Sequence, residues 1–200
     1  MYKPFASLAT LINSKAKREI IKELLFNPNK TFTVRELARR AKLNVNAVAY
    51  AARQLEKNHI ILKEIKGKRH LLRLNRSHPF YLDILSMFHK SYGLGYLLYR
   101  EIAKEDLIEI AILTHHYLLQ IPKAEYDVDV IFIGEINVMK LNQKIEELEN
   151  KTGTQIVFTL LTPTDIKLRL RRFDEFIYKI LLNPHVFIKG NWLTLMKHTL

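Results

Sequence analysis

Residues 33–74 carry two short helical patterns followed directly by two strand patterns, and this order leaves few arrangements for the first part of the chain. Thr33 and Glu36 have the spacing of a capping box, in which each side chain accepts a hydrogen bond from the backbone N–H of the other residue. They therefore predict a helix start. After a turn at residues 42–44, apolar residues at helical spacing predict a second helix that runs to about Asn58. Two helices joined by so short a turn form a helix-turn-helix.

The chain after these helices predicts two short strands around a basic turn. The strands are expected at residues 60–65 and 70–74, and Lys66-Gly67-Lys68-Arg69 supplies the turn between them. An earlier helix, capped by Ser14, precedes the pair of helices. A basic hairpin directly after the second helix is a wing, so we predict a winged helix-turn-helix domain over residues 1–76. The same fold also serves as a protein–protein module, and this alternative stays open at the level of the pattern.

The basic charge of the chain is concentrated in the same segment. The 200 residues include 32 Lys and Arg against 20 Asp and Glu, a formal charge of +12. Residues 1–78 contain 18 basic and 5 acidic residues, whereas residues 79–200 contain 14 and 15. The first segment thus carries +13 and the second −1. This asymmetry indicates an N-terminal module that binds a polyanion, above all nucleic acid, and a neutral module with another role.

The second helix of a helix-turn-helix is the one that usually enters the major groove of DNA. Its outer stripe would direct Asn46, Tyr50 and Arg53 toward base edges, although Tyr50 could equally be a packing residue. Residues at the turn, at the helix end and in the wing are expected to contact phosphates. The predicted residues for binding double-stranded DNA are Lys42, Asn44, Asn46, Tyr50, Arg53, Lys57, Lys66, Lys68 and Arg69.

Residues 77–106 form a connector with more apolar residues than one core-facing stripe needs. The excess lies on either side of Gly93 and Gly95, which we interpret as a helix break. Its members are Tyr81, Leu82, Ile84, Leu85, Met87, Phe88, Leu94, Tyr96, Leu97, Leu98 and Tyr99. We expect this helical connector to form a homodimer interface, which also suits DNA half-sites about one helical turn apart. Packing against the C-terminal domain of the same chain is the alternative.

Residues 107–200 alternate between strand and helix patterns, which is typical of a layered α/β domain. The predicted strands span residues 108–113, 127–133, 155–161 and 186–188. A helix is expected from Asn137 to about Lys151, and Thr162-Pro-Thr-Asp165 starts the helices that precede the last strand. The whole chain is therefore expected to be α+β, with a winged helix-turn-helix, a helical linker and a C-terminal α/β domain.

The two domains resemble known families. Residues 1–75 are similar to the winged-helix domains of ArsR-like prokaryotic regulators. Residues 108–191 resemble a minimal nucleotidyltransferase domain of the polymerase-beta-like superfamily, through VDVIFIG (128–134), the helix and strand after it, and TPTDIKLRLRRFDEFIYKILLNPHVFIKGN (162–191). Proteins that fuse such domains through a helical linker are similar along nearly the whole chain. The resemblance implies a DNA-binding transcriptional regulator with a nucleotidyltransferase-like effector or assembly domain.

The second resemblance also implies which residues nucleotidyl transfer needs. The family has a Gly-Ser pair after the first strand, an Asp-x-Asp on the second and a further carboxylate on the third, and the acids hold two divalent cations. Here Thr114-His115 replaces the Gly-Ser pair, and residues 154–162 contain no acid. Asp127 and Asp129 remain, with a spacing that puts both on one strand face. We expect a catalytically inactive domain without a cofactor, in which these aspartates are weak metal candidates.

Two alternatives for the C-terminal domain stay open. It could be an active nucleotidyltransferase that the winged helix recruits to its substrate, or it could bind a nucleotide without reaction and so change DNA affinity. His115 and His116 are not expected to share a metal, because neighbours on a strand point to opposite faces. Arg169, Arg171 and Arg172 are interpreted as a solvated helix face rather than a phosphate site.

The remaining composition excludes several classes of protein. The absence of cysteine excludes a disulfide framework, a thiolate zinc site and a cysteine nucleophile. The first residues lack an apolar core of signal-peptide length, and no run approaches about 18 apolar residues. We therefore expect no export signal and no membrane span, and we predict a cytoplasmic protein.

Overall fold

The structure is a computed structural model that describes residues 8–102 and 105–197. Within these residues the chain forms eleven helices and two small sheets, so the predicted α+β class is confirmed. The contacts divide the chain into two compact units, which we call unit 1 (Met1–Phe88) and unit 2 (His89–Leu200). No helix in the described ranges is long and apolar enough to cross a bilayer.

Unit 1 begins with helices whose starts follow the capping signals of the sequence. They are α1 (Leu8–Leu11), α2 (Lys15–Leu25), α3 (Val34–Ala41) and α4 (Val45–Lys57), and a later helix, α5 (Tyr81–Ser91), contains the boundary with unit 2. Ser14 accepts a hydrogen bond from the N–H of Lys17 at the start of α2. Thr33 and Glu36 form the predicted capping box of α3. A side chain that satisfies a free N–H in the first turn determines where a helix begins, so these starts follow from the local sequence.

Three residues separate α3 from α4, as predicted. Lys42 ends α3 in a left-handed conformation with φ of 53°, and its N–H donates to the carbonyls of Ala38 and Arg39. Asn44 starts α4, because its side-chain oxygen accepts a 2.8 Å hydrogen bond from the N–H of Asn46. One helix therefore ends and the next begins within a single turn of chain.

An antiparallel hairpin follows α4. Its strands are β1 (Ile61–Lys66) and β2 (Arg69–Leu74), whose bounds differ from the prediction by one residue at most. Lys66 pairs with Arg69, and the two-residue turn between them contains Gly67 with φ of +59°, a conformation that glycine adopts at little cost. Phe32 adds a bridge that the sequence pattern does not indicate, with hydrogen bonds of 3.1 and 2.8 Å to Leu72. This bridge joins β2 to the segment just before α3.

The inner faces of α2, α3 and α4 form the core of unit 1. The members on these helices are Ile20, Ile21, Leu24, Leu25, Leu37, Ala38, Val48, Ala51, Ala52 and Leu55, all of them buried. α4 contributes the face that the periodicity predicts, and α2 and α3 both pack against it. Because that face lies in the core, the opposite face of α4 is left to solvent.

Unit 2 is built on a four-stranded sheet in the order β5-β4-β3-β6. The strands are β3 (Ile108–Leu113), β4 (Val130–Gly134), β5 (Phe158–Leu161) and β6 (Val186–Lys189). β3 is antiparallel to both of its neighbours, whereas β4 and β5 are parallel. The helices are α6 (Gly93–Glu101), α7 (His115–Leu119), α8 (Val138–Thr152), α9 (Pro163–Arg171), α10 (Glu175–Leu182) and α11 (Trp192–Met196). α8 is the crossover between the two parallel strands.

All four predicted strands of unit 2 are present, but β4 and β5 each begin three residues later than predicted. The N–H groups of Asp129 and Val130 both donate to the carbonyl of Val157, at 2.7 and 3.2 Å, so the regular ladder starts only beyond this point. Apolar side chains from one face of the sheet then pack with α9, α10 and α11. The core cluster formed by the strands and these helices includes Ile110, Ile112, Ile131, Ile133, Leu161, Ile166, Leu170, Ile177, Ile180 and Leu195.

The predicted connector, residues 77–106, contains α5 and α6; its residues 103 and 104 lie outside the described residues. Gly93 begins α6 with φ of +63°, so the predicted helix break is confirmed. A Cβ atom at Gly95 would lie 2.2 Å from the carbonyl oxygen of His89, and this close approach requires glycine. Of the apolar connector residues that the sequence singled out, all but Leu82 are buried or half-buried.

Candidate functional site

The outer face of α4 carries the side chains that the sequence assigned to base recognition. Asn46, Tyr50, Arg53 and Lys57 are all exposed. Tyr50 is 61% exposed, so it lies on the surface and not in the core. The spacing of these residues follows the helical period, and the buried residues of α4 lie between them, namely Val48, Ala51, Ala52 and Leu55.

The turn before α4 also supplies the cap of that helix. Asn44 uses its side-chain oxygen to cap α4, so only its amide NH₂ is left to contact another molecule. Lys42 is exposed at the end of α3. Lys42 and Asn44 lie just before α4, and Lys57 is its last residue.

The hairpin turn extends the basic surface. Lys66, Lys68 and Arg69 are exposed, and the turn has open space around Gly67. Arg39 on α3 and Arg69 in the hairpin both lie close enough to Glu36 to lower the pKa of its carboxyl, although the N–H and hydroxyl of Thr33 have the larger effect. Arg39 is exposed as well. It was not among the predicted residues, because those lie on the second helix, on the turn before it and on the wing, whereas Arg39 lies on α3.

Several basic residues of this surface have no acidic partner, whereas Lys22, Arg40, Lys63 and Arg73 in unit 1 are each paired with a glutamate. The acids of residues 1–78 are five glutamates, and four of them form ion pairs elsewhere: Glu19 with Lys22, Glu23 with Arg40, Glu56 with Lys63 and Glu64 with Arg73. The fifth, Glu36, forms the capping box. Within the described residues, Lys42, Arg53, Lys57, Lys66 and Lys68 have no acidic partner, so their charges are not neutralised.

Unit 2 contains the second candidate site, where β3 ends. Thr114 follows the strand, and its N–H donates to the carbonyl of Asp129 at 2.9 Å. His115 and His116 then begin α7, with ring centroids 4.1 Å apart, and both are buried. The prediction that they lie on a strand is wrong, because the chain turns into a helix directly after Leu113 and consecutive side chains no longer point to opposite faces.

Asp127 and Asp129 lie before β4, so the prediction that they share one strand face is wrong. Asp127 belongs to a turn in which its N–H donates to the carbonyl of Ala124 at 3.1 Å. Its carboxylate binds the Lys179 ammonium at 2.8 Å and the N–H of Ala124 at 2.9 Å, and lies 3.1 Å from the His116 ring. These contacts, led by Lys179, lower the pKa of Asp127.

Asp129 has a different set of partners. Its carboxylate accepts a 2.6 Å hydrogen bond from the Lys123 ammonium and a 3.0 Å hydrogen bond from the N–H of Val157. Asp129 is only 5% exposed, whereas Lys123 reaches it from the segment after α7. The two aspartates are thus each bound to a lysine of the same chain.

The residues at this site do not fit a centre of two divalent cations. Within the described residues, no three or more His, Cys, Asp or Glu side chains are grouped so that they could hold a metal ion. β5 carries no acid, and the imidazole of His115 is buried at the start of α7. Mg²⁺ and similar cations need several oxygen ligands, and both available carboxylates already bind ammonium groups.

Burial favours the neutral form of two histidines of unit 2, His89 and His115. Desolvation, with a smaller contribution from the neighbouring His116, lowers the pKa of His115. Burial lowers the pKa of His89 to about 4, and the His89 ring lies edge-on to Tyr117 at 5.8 Å. Neither imidazole is therefore expected to carry a charge at neutral pH.

Comparison with known proteins adds little to this description. No family model and no curated protein matches the chain. Among solved structures, human N-acetylserotonin methyltransferase in complex with SAM aligns over 62% of this chain and 41% of its own, with 10% sequence identity and a TM-score of 0.25. A TM-score this low supports neither a shared fold nor a shared activity.

Proposed function

We propose that the chain is a sequence-specific, double-stranded DNA-binding transcriptional regulator, and that unit 1 is an ArsR-like winged helix-turn-helix. In this proposal α4 enters the major groove and the β1–β2 turn contacts the backbone. The observation that carries the proposal is the set of unpaired basic residues on α4, on the turn before it and on the hairpin. Binding to phosphates would neutralise these charges and release counterions, a large part of DNA affinity. Such a regulator would act in the cytoplasm, beside the DNA.

The arrangement of the elements supports the same proposal. The three-residue turn between α3 and α4, followed by a basic hairpin, is the element order of this DNA-binding fold. The protein–protein alternative requires a surface depleted of like charges, because unpaired lysines and arginines at the centre of a protein interface are costly. The charges on α4 therefore favour DNA.

The decisive experiment is selection of bound fragments from random duplex DNA, followed by anisotropy titrations at several salt concentrations. Lys68→Ala should weaken binding to all duplexes alike and reduce the slope of log K against log salt by about 1, because one phosphate contact is lost. Lys63→Ala is the matched control, since Lys63 lies in the same hairpin but is paired with Glu56 at 3.1 Å. If Lys68→Ala and Lys63→Ala have the same salt slope as the unchanged protein, the proposed contact surface is wrong.

We also propose that the regulator is a homodimer. A largely apolar groove of about 400 Å³ lies in unit 1 beside α5, lined by Ile12, Ile21, Leu55, Ile60, Ile84 and Met87, among others. Phe80 and Leu82, at the start of α5, are exposed next to it. Lys17 and Asp83 at the groove have opposite charges, so a second copy related by a two-fold axis would pair each with the other.

For unit 2 we propose a nucleotidyltransferase-like domain that is catalytically inactive. The Thr114-His115 pair, the acid-free β5 and the lysine-bound aspartates support this proposal. Incubation with labelled nucleoside triphosphates and Mg²⁺ or Mn²⁺ tests it, and we expect no transfer. Transfer that Asp129→Asn abolishes would instead support the active-enzyme alternative. A thermal shift with a nucleotide panel tests whether the domain binds nucleotide without reacting.

A further inference from the structure

Another cavity of unit 1 lies at the base of the β1–β2 hairpin, at the opposite end from its turn. It has a volume of about 200 Å³ and is lined by Leu24, Leu25, Lys30, Leu74, Arg76 and Tyr81, among others. We call this cavity the hairpin-base pocket. Its residues come from the end of α2, the chain after α2, the end of β2 and the start of α5, so the folding of unit 1 brings them together.

Two cations of the hairpin-base pocket have no acidic partner. Lys30 and Arg76 are exposed, and neither forms an ion pair within the described residues. One terminal nitrogen of Arg76 donates a 2.6 Å hydrogen bond to the carbonyl of Pro28, which holds the guanidinium in place. The donors on its other two nitrogens remain for a ligand. Arg73 also lines the pocket, but its charge is paired with Glu64.

The hydroxyl of Tyr81 is a further donor in the same pocket. Tyr81 is only 7% exposed, and in residues 8–102 and 105–197 its hydroxyl has no hydrogen-bond partner. Burial raises the pKa of Tyr81, and Arg76 lowers it by a smaller amount, so the guanidinium lies near the hydroxyl. A buried hydroxyl without a partner is unfavourable, so a ligand that accepts its hydrogen bond would be stabilised.

We propose that the hairpin-base pocket binds a small phosphate monoester through Lys30, Arg76 and Tyr81. The phosphate group of a monoester has a charge of about −1.5 to −2 at pH 7 and three free oxygens. It therefore matches two unpaired cations and three donor groups, whereas a single carboxylate would leave one cation without a partner. This role goes beyond the proposed DNA binding and does not depend on it.

The size and the floor of the pocket limit the organic part of the ester. A volume of about 200 Å³ corresponds to about seven water molecules of ~30 Å³ each, and lies below the roughly 300–1,000 Å³ of sites for larger ligands. The pocket thus admits a phosphate group with a few further atoms. Leu24, Leu25 and Leu74 are buried and give it an apolar floor, which strengthens charge interactions because it excludes water on that side.

The phosphates of a duplex could supply the same chemistry. Arg73 lies four residues along β2 from Arg69 in the hairpin turn, a separation of about 13 Å, so the pocket is remote from the turn proposed to contact DNA. An enclosed cavity with an apolar floor also suits a small ester better than a polymer backbone. We therefore assign the pocket to a free ester, and the experiment separates the two sources.

The test is isothermal titration calorimetry of the full chain without DNA, at an ionic strength held constant with NaCl. The probes are inorganic phosphate, glycerol phosphate and, as a carboxylate for comparison, succinate. The variants are Arg76→Gln, Lys30→Gln and Tyr81→Phe. Lys15→Gln is the matched control, because Lys15 is exposed without an acidic partner within the described residues and lies at the other end of α2.

We expect the unchanged protein and Lys15→Gln to bind both phosphate probes saturably and with equal affinity. Arg76→Gln and Lys30→Gln should each weaken this binding by about tenfold or more, and succinate should bind at least about tenfold more weakly than glycerol phosphate. Tyr81→Phe should weaken phosphate binding by about tenfold but leave the Tm of the ligand-free protein unchanged or higher, since the hydroxyl has no partner to lose. If circular dichroism shows that Arg76→Gln does not fold, Lys30→Gln on the surface decides.

Four results overturn the proposal: no saturable phosphate binding by the unchanged protein, an equal loss in Lys15→Gln and Lys30→Gln, tighter binding of succinate than of glycerol phosphate, or folded pocket variants with unchanged phosphate affinity. In the last case, a slope of log K against log salt for duplex binding that falls by about 1 in these variants would assign Lys30 and Arg76 to the DNA backbone. Because the titrations contain no DNA, a failure of duplex binding in all samples would count against the proposed regulator and not against the pocket.

Discussion

At the scale of single residues, the basic side chains of unit 1 fall into two groups, those with a glutamate partner and those without. Lys63 and Arg73 on the hairpin strands are paired, whereas Lys66 and Lys68 near its tip have no acidic partner within the described residues. Exposed ion pairs contribute little to stability, so pairing matters here mainly because it determines which charges remain for a polyanion.

Arg53 lies in the middle of the exposed face of α4, and its position predicts the largest effect on sequence preference. Arg53→Ala should cost about 1–3 kcal/mol of binding free energy and flatten the preference among duplexes, because a bidentate contact to a base would be lost. Anisotropy with a selected and a scrambled duplex measures both effects. Lys63→Ala, which removes a paired charge, should leave the preference intact. An unchanged ratio of the two affinities in Arg53→Ala would exclude Arg53 from base recognition.

His89 predicts a dependence of stability on pH. Its pKa in the folded protein is about 4, because burial disfavours the charged form, whereas an unfolded chain has the ordinary value near 6.5. The unfolded state therefore binds more protons between these values, and stability present above pH 6.5 is lost as the pH falls toward 4. The loss from this residue alone amounts to about 3 kcal/mol.

Urea unfolding between pH 7 and pH 4, monitored for unit 2, measures this loss. His89→Phe should make the curve of stability against pH shallower, since an aromatic ring without a titratable group fills the same space. An equally steep curve in His89→Phe would show that another group carries the pH dependence.

At the scale of elements, the start of α3 combines a helix cap with the basic surface. Thr33→Ala removes the hydroxyl that accepts from the N–H of Glu36 at 3.2 Å, and should lower the free energy of unfolding by about 1 kcal/mol. Chemical denaturation measures the change. Thr33→Ser keeps the hydroxyl and should retain most of the stability. If alanine and serine are equally stable at this position, the capping box does not stabilise α3.

In unit 2, Thr114 is the single residue between β3 and α7. Thr114 connects the two through hydrogen bonds to the backbone of Val128 and Asp129, and the buried histidine rings follow it directly. In the proposed nucleotidyltransferase-like domain, this junction would take the place of the Gly-Ser pair.

At the scale of the whole molecule, the proposed homodimer predicts a change of mass. Phe80→Asp together with Leu82→Asp places charges on the exposed apolar surface beside the groove, and the protein should become a monomer with weaker binding to duplexes that contain two half-sites. Light scattering measures the mass. Leu193→Asp, at an exposed apolar position in unit 2, is the control. A dimer that persists in the double variant would place the interface elsewhere.

The sequence by itself determined the features that depend on near neighbours along the chain. The caps at Ser14 and Thr33, the turn before α4 and the hairpin after it were all predictable, because capping and hydrophobic periodicity act over a few residues. The segregation of basic charge into residues 1–78 was also readable directly. The start of β4 was not, because the distant Val157 carbonyl sets it.

The tertiary structure alone decided which side chains meet. The pairing of Glu56 and Glu64 with hairpin cations, the bridge between Phe32 and Leu72 and the ion pair between Lys179 and Asp127 all join residues from different parts of the fold. The sequence predicted Asp127 and Asp129 as a pair but not the contact of Asp127 with Lys179, since no local period relates residues 52 positions apart. Such contacts exist only after the cores have packed, because side-chain electrostatics acts over a few ångströms in space and not along the chain.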